Sequence, residues 1–488
     1  MSSAQTLSSV IDLVNYEPNP LNDKNAWWGQ TSADAPPPLS TSSPPPEVVE
    51  SPVDDPELKL PDLTSMMLVI GGNTLLQITF YIVVSSASAY AKHLGGTATF
   101  SGLIIGIPSS FAGLALIPMV KFDGGRYKLP INIGYVAMIL GNILYGLAYR
   151  ANFLYLILIG RIVSGFGFTA LLYCKRYCAD PRIVGVRRRT TLASWLVVGQ
   201  GIGFSAGPFI GGLLFKIGFP NAIFNGYTSP GWLVAVAWVF FLAASILLFK
   251  DVRVPPKIDL PLTPLSHPST VTGSPALLDA SQSDEIHEED NHPVSLRQWG
   301  VIITMMWYAM TCFFILGAWE SNIPVFTAER FNYNPYNAGN FIALGGITTF
   351  PFLILNVFYS GRFQDRAILA FGSSLGTSGV IIMIAVLVTN RVTFGSFFVC
   401  WFLVALGFNL ASTCTLSLLS KQLPPTWNGR LSLAIQYSNY AGRVSGAVWG
   451  GAGVNIGMVN YLGLQVGIVG VAGLMHLTLW RELKAKMG

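Results

Sequence analysis

Residues 203 to 212 read Gly203-Phe204-Ser205-Ala206-Gly207-Pro208-Phe209-Ile210-Gly211-Gly212, the pattern GxxxGPxxGG. The chain repeats it 239 residues later as Gly442-Arg443-Val444-Ser445-Gly446-Ala447-Val448-Trp449-Gly450-Gly451. A second correspondence, Gly165-Phe166-Gly167-Phe168 with Ala405-Leu406-Gly407-Phe408, lies at an offset of 240. Two matches at almost one spacing point to an internal duplication. Both glycine runs sit in apolar stretches, where small residues four apart let helix backbones approach closely. They are expected to pack on a neighbour across the interface between the two halves. Pro208 among Gly203, Gly207, Gly211 and Gly212 marks a bend suited to a rocking motion, since proline and glycine are the usual causes of kinks.

Working outward, the chain has 488 residues, of which 51% are hydrophobic and 11% charged. Ordinary soluble domains are about a quarter charged. Such a chain cannot cover a water-facing surface, which excludes a soluble enzyme, a nucleic-acid binder and a disulfide scaffold. Its five cysteines, Cys174, Cys178, Cys312, Cys400 and Cys414, lie in or beside apolar segments with no CxxC pair or histidine cluster. They read as packing residues, so no metal site and no cofactor is expected. The net charge of +5 has a topological explanation, because membrane proteins collect basic residues on the cytoplasmic side.

Residues 1–62 hold 11 of the 30 prolines and 10 of the 24 acidic residues, and 251–296 hold seven more prolines and the run Asp284, Glu285, Glu288, Glu289, Asp290. These compositions predict a disordered cytoplasmic tail and a cytoplasmic linker. The remaining blocks, 63–250 and 297–488, each have the length of six membrane spans. The predicted spans are 66–91, 98–120, 129–149, 153–174, 190–215 and 230–249, then 298–323, 335–359, 367–389, 394–420, 430–452 and 459–481. They must be helical because unpaired backbone groups are too costly in lipid. With both termini cytoplasmic, inner segments carry twenty Lys and Arg and outer loops five, Lys92, Arg150, Lys216, Arg330 and Arg391. That asymmetry requires an even number of spans. The fold class is therefore an all-α membrane protein with twelve transmembrane helices in two pseudo-symmetric six-helix bundles. Such duplicated builds place their substrate site where the halves meet.

Ionisable residues inside spans are the most informative, because each is costly unless paired or hydrated. Three stand out: Arg161 mid-way in span four, Arg443 mid-way in span eleven and Glu320 in the outer part of span seven. Two arginines against one carboxylate favour an anionic substrate, since guanidinium offers a planar donor set to phosphate or carboxylate oxygens. The other reading of the arginines is structural pairing. Glu320 is read as a proton carrier or as the partner of one arginine. Lys175-Arg176-Tyr177, just past span four, forms an inner anion gate or a topology signal, whereas Arg187-Arg188-Arg189 reads as topology alone. Between spans eight and nine, Gly361-Arg362-Phe363-Gln364-Asp365-Arg366 gives GxxxDR. Asp365 and Arg366 suit pairing with a neighbouring helix end that holds one conformation shut, or a simple charge anchor. The corresponding first-half loop, Lys121 to Lys128, is degenerate. His476 reads as a satisfied packing residue.

The run Gly160-Arg161-Ile162-Val163-Ser164-Gly165-Phe166-Gly167, together with GxxxGPxxGG and GxxxDR, resembles the major facilitator superfamily over nearly all of 63–488. Within it, Lys175-Arg176-Tyr177-Cys178-Ala179-Asp180, Arg189-Thr190-Thr191-Leu192-Ala193-Ser194 and Pro230-Gly231-Trp232-Leu233-Val234-Ala235-Val236-Ala237-Trp238 are similar to the vacuolar phosphate transporters of plants that carry an SPX domain. The resemblance implies anion movement across the vacuolar membrane; the chain is read as a monomeric secondary transporter of a small anion, phosphate first, with Glu320 adding protons as a second partner. Two departures stand out. Residues 1–62 are too short for an SPX domain, and Ser85-Ser86-Ala87-Ser88-Ala89-Tyr90 occupies a position where the plant proteins have acidic residues. Two further readings are a proton-coupled exporter of drugs or organic solutes, suggested by GxxxGPxxGG, and an anion channel of an endolysosomal or vacuolar membrane.

Overall fold

The computed structural model describes residues 59–180, 182–251, 295–359, 363–422 and 428–484. The expected tail 1–62 and linker 251–296 lie outside these residues except at their edges. Among the described residues the chain forms the helices α1 Leu63–Tyr81, α2 Ala87–His93, α3 Ala98–Phe122, α4 Lys128–Ala151, α5 Leu154–Gly167, α6 Ala170–Ala179, α7 Val186–Ile217 and α8 Ser229–Leu248. The second block forms α9 Leu296–Phe331, α10 Pro335–Tyr359, α11 Asp365–Val388, α12 Phe394–Gln422, α13 Asn428–Ile456 and α14 Met458–Thr478. Helices α1 with α2 and α5 with α6 make spans one and four, and each of the others is one span.

Eleven spans are long and apolar enough to cross a bilayer by length and composition. The twelfth, α13, has 29 residues, about 44 Å at helical rise, but dilutes its apolar character with Gln436, Asn439, Arg443 and Asn455. Local signals set the ends. Asp62 caps α1 by accepting from the Ser65 amide, Thr97 caps α3 by accepting from Phe100, and Ser295 with Gln298 forms a capping box on α9. Asn152, Asn332 and Asn390, at positive φ, close the C-terminal ends of spans three, seven and nine. Asparagine tolerates this left-handed conformation better than most residues.

The two halves pack alike. Span one lies on span five and span three on span four; correspondingly, span seven lies on span eleven and span nine on span ten. The halves meet through span two on span eleven and span five on span eight. The glycine runs correct the sequence expectation. A Cβ on Gly203, Gly207 or Gly211 would strike span one at Gln77, Tyr81 or Ile82, within the same half. Likewise Gly442, Gly446 and Gly450 lie against Met310, Phe314 and Ala318 of span seven. Only the last glycine of each run crosses: Gly212 meets Pro335 and Tyr336, and Gly451 meets Ala98 and Gly102. The four-residue spacing keeps the first three on one helix face, and the adjacent final glycine is rotated onto the next. Helix α7 runs through Pro208 without interruption.

Two spans expected to be continuous are broken. The helix of span one stops at Tyr81 and resumes at Ala87, across a turn at 82–86; span four is interrupted at Phe168 and Thr169. Neither break contains proline or glycine. Val83, Val84, Ser85 and Ser86 are weak helix formers that crowd the backbone or compete for its hydrogen bonds. In span four Thr169 donates to the Phe166 carbonyl at 2.7 Å.

Candidate functional site

Between the halves lies a cavity of about 640 Å³ lined from both sides, with Tyr81, Glu320 and Arg443 at one level and Lys175 and Asp365 at another. Lys175 and Asp365 belong to the end that the charge asymmetry assigns to the cytoplasm. Arg443 Nη2 donates to Glu320 Oε2 at 2.5 Å and to the Tyr81 hydroxyl at 2.8 Å. Glu320 is 1% exposed and Arg443 7%, so this ion pair is nearly dry. Three polar side chains next to Glu320 tie span seven to its neighbours. Ser321 donates to the Ala447 carbonyl, Asn322 to that of Gly450, and Trp319 to Gln465 of span twelve. Those bonds hold spans seven and eleven together at the level of the pair. Tyr81 carries the network into the first half and is the last residue before the break in span one.

Arg161 is buried too, at 1% exposure, but does not line the cavity. Its Nε donates to the Ile104 carbonyl at 3.1 Å, while Nη1 and Nη2 have no hydrogen-bond partner. Its guanidinium lies 5.8 Å from the centre of the Phe80 ring, and that of Arg443 lies 4.7 Å from the same ring. Phe80 lines the cavity, so it stands between the open space and Arg161. The two arginines therefore converge on one aromatic residue, but in this conformation only Arg443 faces the cavity. Sequence reading, which expected both to face it, lacked the ring between them.

The expected gate Lys175-Arg176-Tyr177 separates, as three consecutive helical residues must. Lys175 lines the cavity. Arg176 turns away to Asp123, Nη1 to Oδ2 at 2.9 Å, and Tyr177 is buried with its ring edge-on to Tyr127. The partner of Arg176 shows that the degenerate first-half loop still has a role, since Asp123 also accepts from Tyr173 of span four at 3.0 Å. Its counterpart Asp365 accepts from Ser417 of span ten at 2.6 Å. Asp123, just before span three, thus reaches span four, and Asp365, at the start of span nine, reaches span ten, each within its own half. Arg366 binds the Trp480 carbonyl at 2.9 Å and stacks over that indole. Gly361 and Arg362 lie outside the described residues. Nearby, Asp180 accepts from Tyr127 at 2.7 Å and from Arg182 at 2.6 Å. Partial burial works against the Asp180 carboxylate, but the Arg182 and Tyr127 bonds outweigh it and hold its pKa at about 2. His476 is buried between Tyr308 and Trp480, and neither ring nitrogen finds a partner, unlike the satisfied residue expected.

Sequence reading missed Phe80 and Tyr81. The available signal was an aromatic pair directly before a run of β-branched residues and serines.

A family model for the Major Facilitator Superfamily matches residues 69–447. An MFS-type transporter of Schizosaccharomyces pombe is 32% identical over 89% of this chain and 85% of its own length. An SPX domain-containing membrane protein of Arabidopsis thaliana is 28% identical over 66% of this chain, which spans about half of that protein's length (49%). Among solved structures, a D-xylose-proton symporter superposes with a TM-score of 0.64 at 14% identity, covering 87% of this chain and 99% of that one. With the two six-span halves, the cavity between them and a family match across most of both, the chain belongs to the major facilitator superfamily of secondary transporters.

Proposed function

We propose that the chain carries a small oxyanion, inorganic phosphate first, across a vacuolar membrane by alternating access. The observation that carries this reading is the charge balance at the core. Glu320 neutralises Arg443, and Arg161 stays buried with both terminal nitrogens unpartnered. A buried cation without a counter-charge is costly, and an incoming anion relieves that cost. Lys175 on the cavity wall adds a second attraction along the path. Similarity to plant membrane proteins with SPX domains supports phosphate as the first substrate to try. Neutralisation of Arg161 gives the substrate a higher affinity for the state in which the halves close around it, which is what a carrier cycle needs. Glu320 serves as the proton carrier, exchanging its Arg443 bond for a proton when the anion competes for that arginine.

The test is uptake by purified protein in liposomes, comparing phosphate, sulfate, chloride and citrate. Arg161→Lys and Arg443→Lys keep the charge but lose the planar donor set, so each should lower phosphate uptake, and the Ala variants should lower it further. Glu320→Gln should retain anion exchange and lose the response to a pH gradient. Wild-type uptake by both Ala variants overturns the anion reading, and an unchanged pH response in Glu320→Gln reduces that residue to a structural role.

A further inference from the structure

Arg161 shares the first half with two other fully buried side chains, Tyr145 and Ser86, whose hydroxyls also lack hydrogen-bond partners. Tyr145 of span three packs against Gly160, the chain neighbour of Arg161, and its carbonyl accepts from Tyr90, whose own amide donates to the carbonyl of Ser86 at the end of the break in span one. All three side chains are fully buried, at 1%, 1% and 0% exposure, and the Tyr145 and Ser86 hydroxyls, like the two terminal Arg161 nitrogens, have no hydrogen-bond partner. Two carbonyls beside them are already taken. The Tyr145 carbonyl accepts from Tyr90, and the Ile104 carbonyl takes the Arg161 Nε. Unpaired buried polar groups are rare in folded proteins, so these three call for an explanation. No described carboxylate is hydrogen-bonded to any of them, and Glu320 is committed to Arg443.

We infer that Arg161, Tyr145 and Ser86 form a second oxyanion site, set behind Phe80 from the central cavity and exposed when the outer side opens. The inference rests on the anion reading above and assigns it a further station. The chemistry is a planar guanidinium with two free NH₂ groups and two hydroxyl donors, a set that matches a dehydrated phosphate or sulfate. A neutral solute would leave the guanidinium charge uncompensated. The break in span one is what makes the station usable. It frees Ser86 from a continuous helix and ends the segment carrying Phe80, so a change in the 82–86 turn moves both the hydroxyl and the ring that screens Arg161.

The experiment measures the phosphate and sulfate concentrations that half-maximally raise the thermal stability of the purified protein in detergent, for wild type, Ser86→Ala and Tyr145→Phe. Each variant removes one hydroxyl and no charge. Each should weaken half-maximal stabilisation by about fivefold, while the melting temperature without anion stays the same or rises. Ser86→Cys should react with an anionic thiol reagent applied from the side opposite the Lys175 mouth, and phosphate should slow that reaction. Phosphate stabilisation unchanged in both hydroxyl variants overturns the second site while leaving the anion reading intact. Absence of stabilisation of the wild type by any anion overturns both.

Discussion

Arg443 of span eleven donates to Glu320 and Tyr81, whereas Arg161 of span four donates only its Nε, to the Ile104 carbonyl. Both are deep in the protein and both lie against Phe80. The second half has answered its buried charge with a carboxylate, and the first half has not. A compensated cation is part of the scaffold and its removal strands the partner, while an uncompensated one is a standing cost that a ligand can relieve. The same asymmetry runs through the helices. Spans one and four of the first half are broken, and their counterparts seven and ten run unbroken as α9 and α12.

The sharpest way to break this comparison is to delete each charge. Arg443→Ala leaves Glu320 buried without its partner, and should lower stability by about 3–5 kcal/mol. Adding Glu320→Gln to it should restore most of the loss, measured as the unfolding midpoint in detergent. Equal midpoints for the single and double variants would mean that the pair carries no coupling. Arg161→Met removes a charge that has no acid beside it, so stability should change by no more than about 1 kcal/mol in either direction while phosphate uptake falls at least tenfold. A loss as large as that of Arg443→Ala would erase the distinction between the two arginines.

The glycine runs test whether the halves are otherwise equivalent. Gly211→Ala pushes a Cβ into the Ile82 carbonyl and Gly450→Ala into that of Ala318. Each should cost about 1–3 kcal/mol, and the two losses should match. Gly463→Ala, with open space around the new Cβ, is the control and should be neutral or slightly stabilising. The smallest effect concerns the loop after span four that carries Asp180. Because the folded Asp180 pKa is depressed to about 2 from 3.8, its contribution is complete above about pH 4 and fades as pH falls toward 2. Asp180→Asn should remove that acid-limb dependence, about 1 kcal/mol after allowance for screening at the partly exposed Arg182. An unchanged acid limb in the variant would show that the Arg182 and Tyr127 bonds do not select the carboxylate.

Hydropathy and charge bias sufficed for the spans and the even count, because lipid imposes one length and one backbone solution on every crossing, and the repeated glycine run sufficed for the duplication. Arg161, Arg443 and Glu320 were equally legible, since a charge in an apolar run needs no structure to be noticed. Which arginine Glu320 would neutralise was not legible, because spans seven and eleven come together only through the packing of Gly442, Gly446 and Gly450 on Met310, Phe314 and Ala318. Likewise a four-residue glycine pattern says that one face is bare, and only the assembled bundle says whether that face meets its own half or the other. The separation of Lys175, Arg176 and Tyr177 lay between these cases. Helical geometry forbids all three from sharing a direction, but only the position of Asp123 decides which of the basic pair turns away from the cavity.

The chemistry available inside the membrane, two arginines and one carboxylate in a duplicated set of twelve spans, is written in the order of residues alone. The tertiary structure alone decided that Glu320 pairs with Arg443, that Phe80 screens Arg161, and that span one breaks between Tyr81 and Ala87. The physical reason is that buried charges are set by distance and screening among residues far apart in the chain, 123 positions for Glu320 and Arg443, whereas membrane crossing is a local property of about twenty residues at a time.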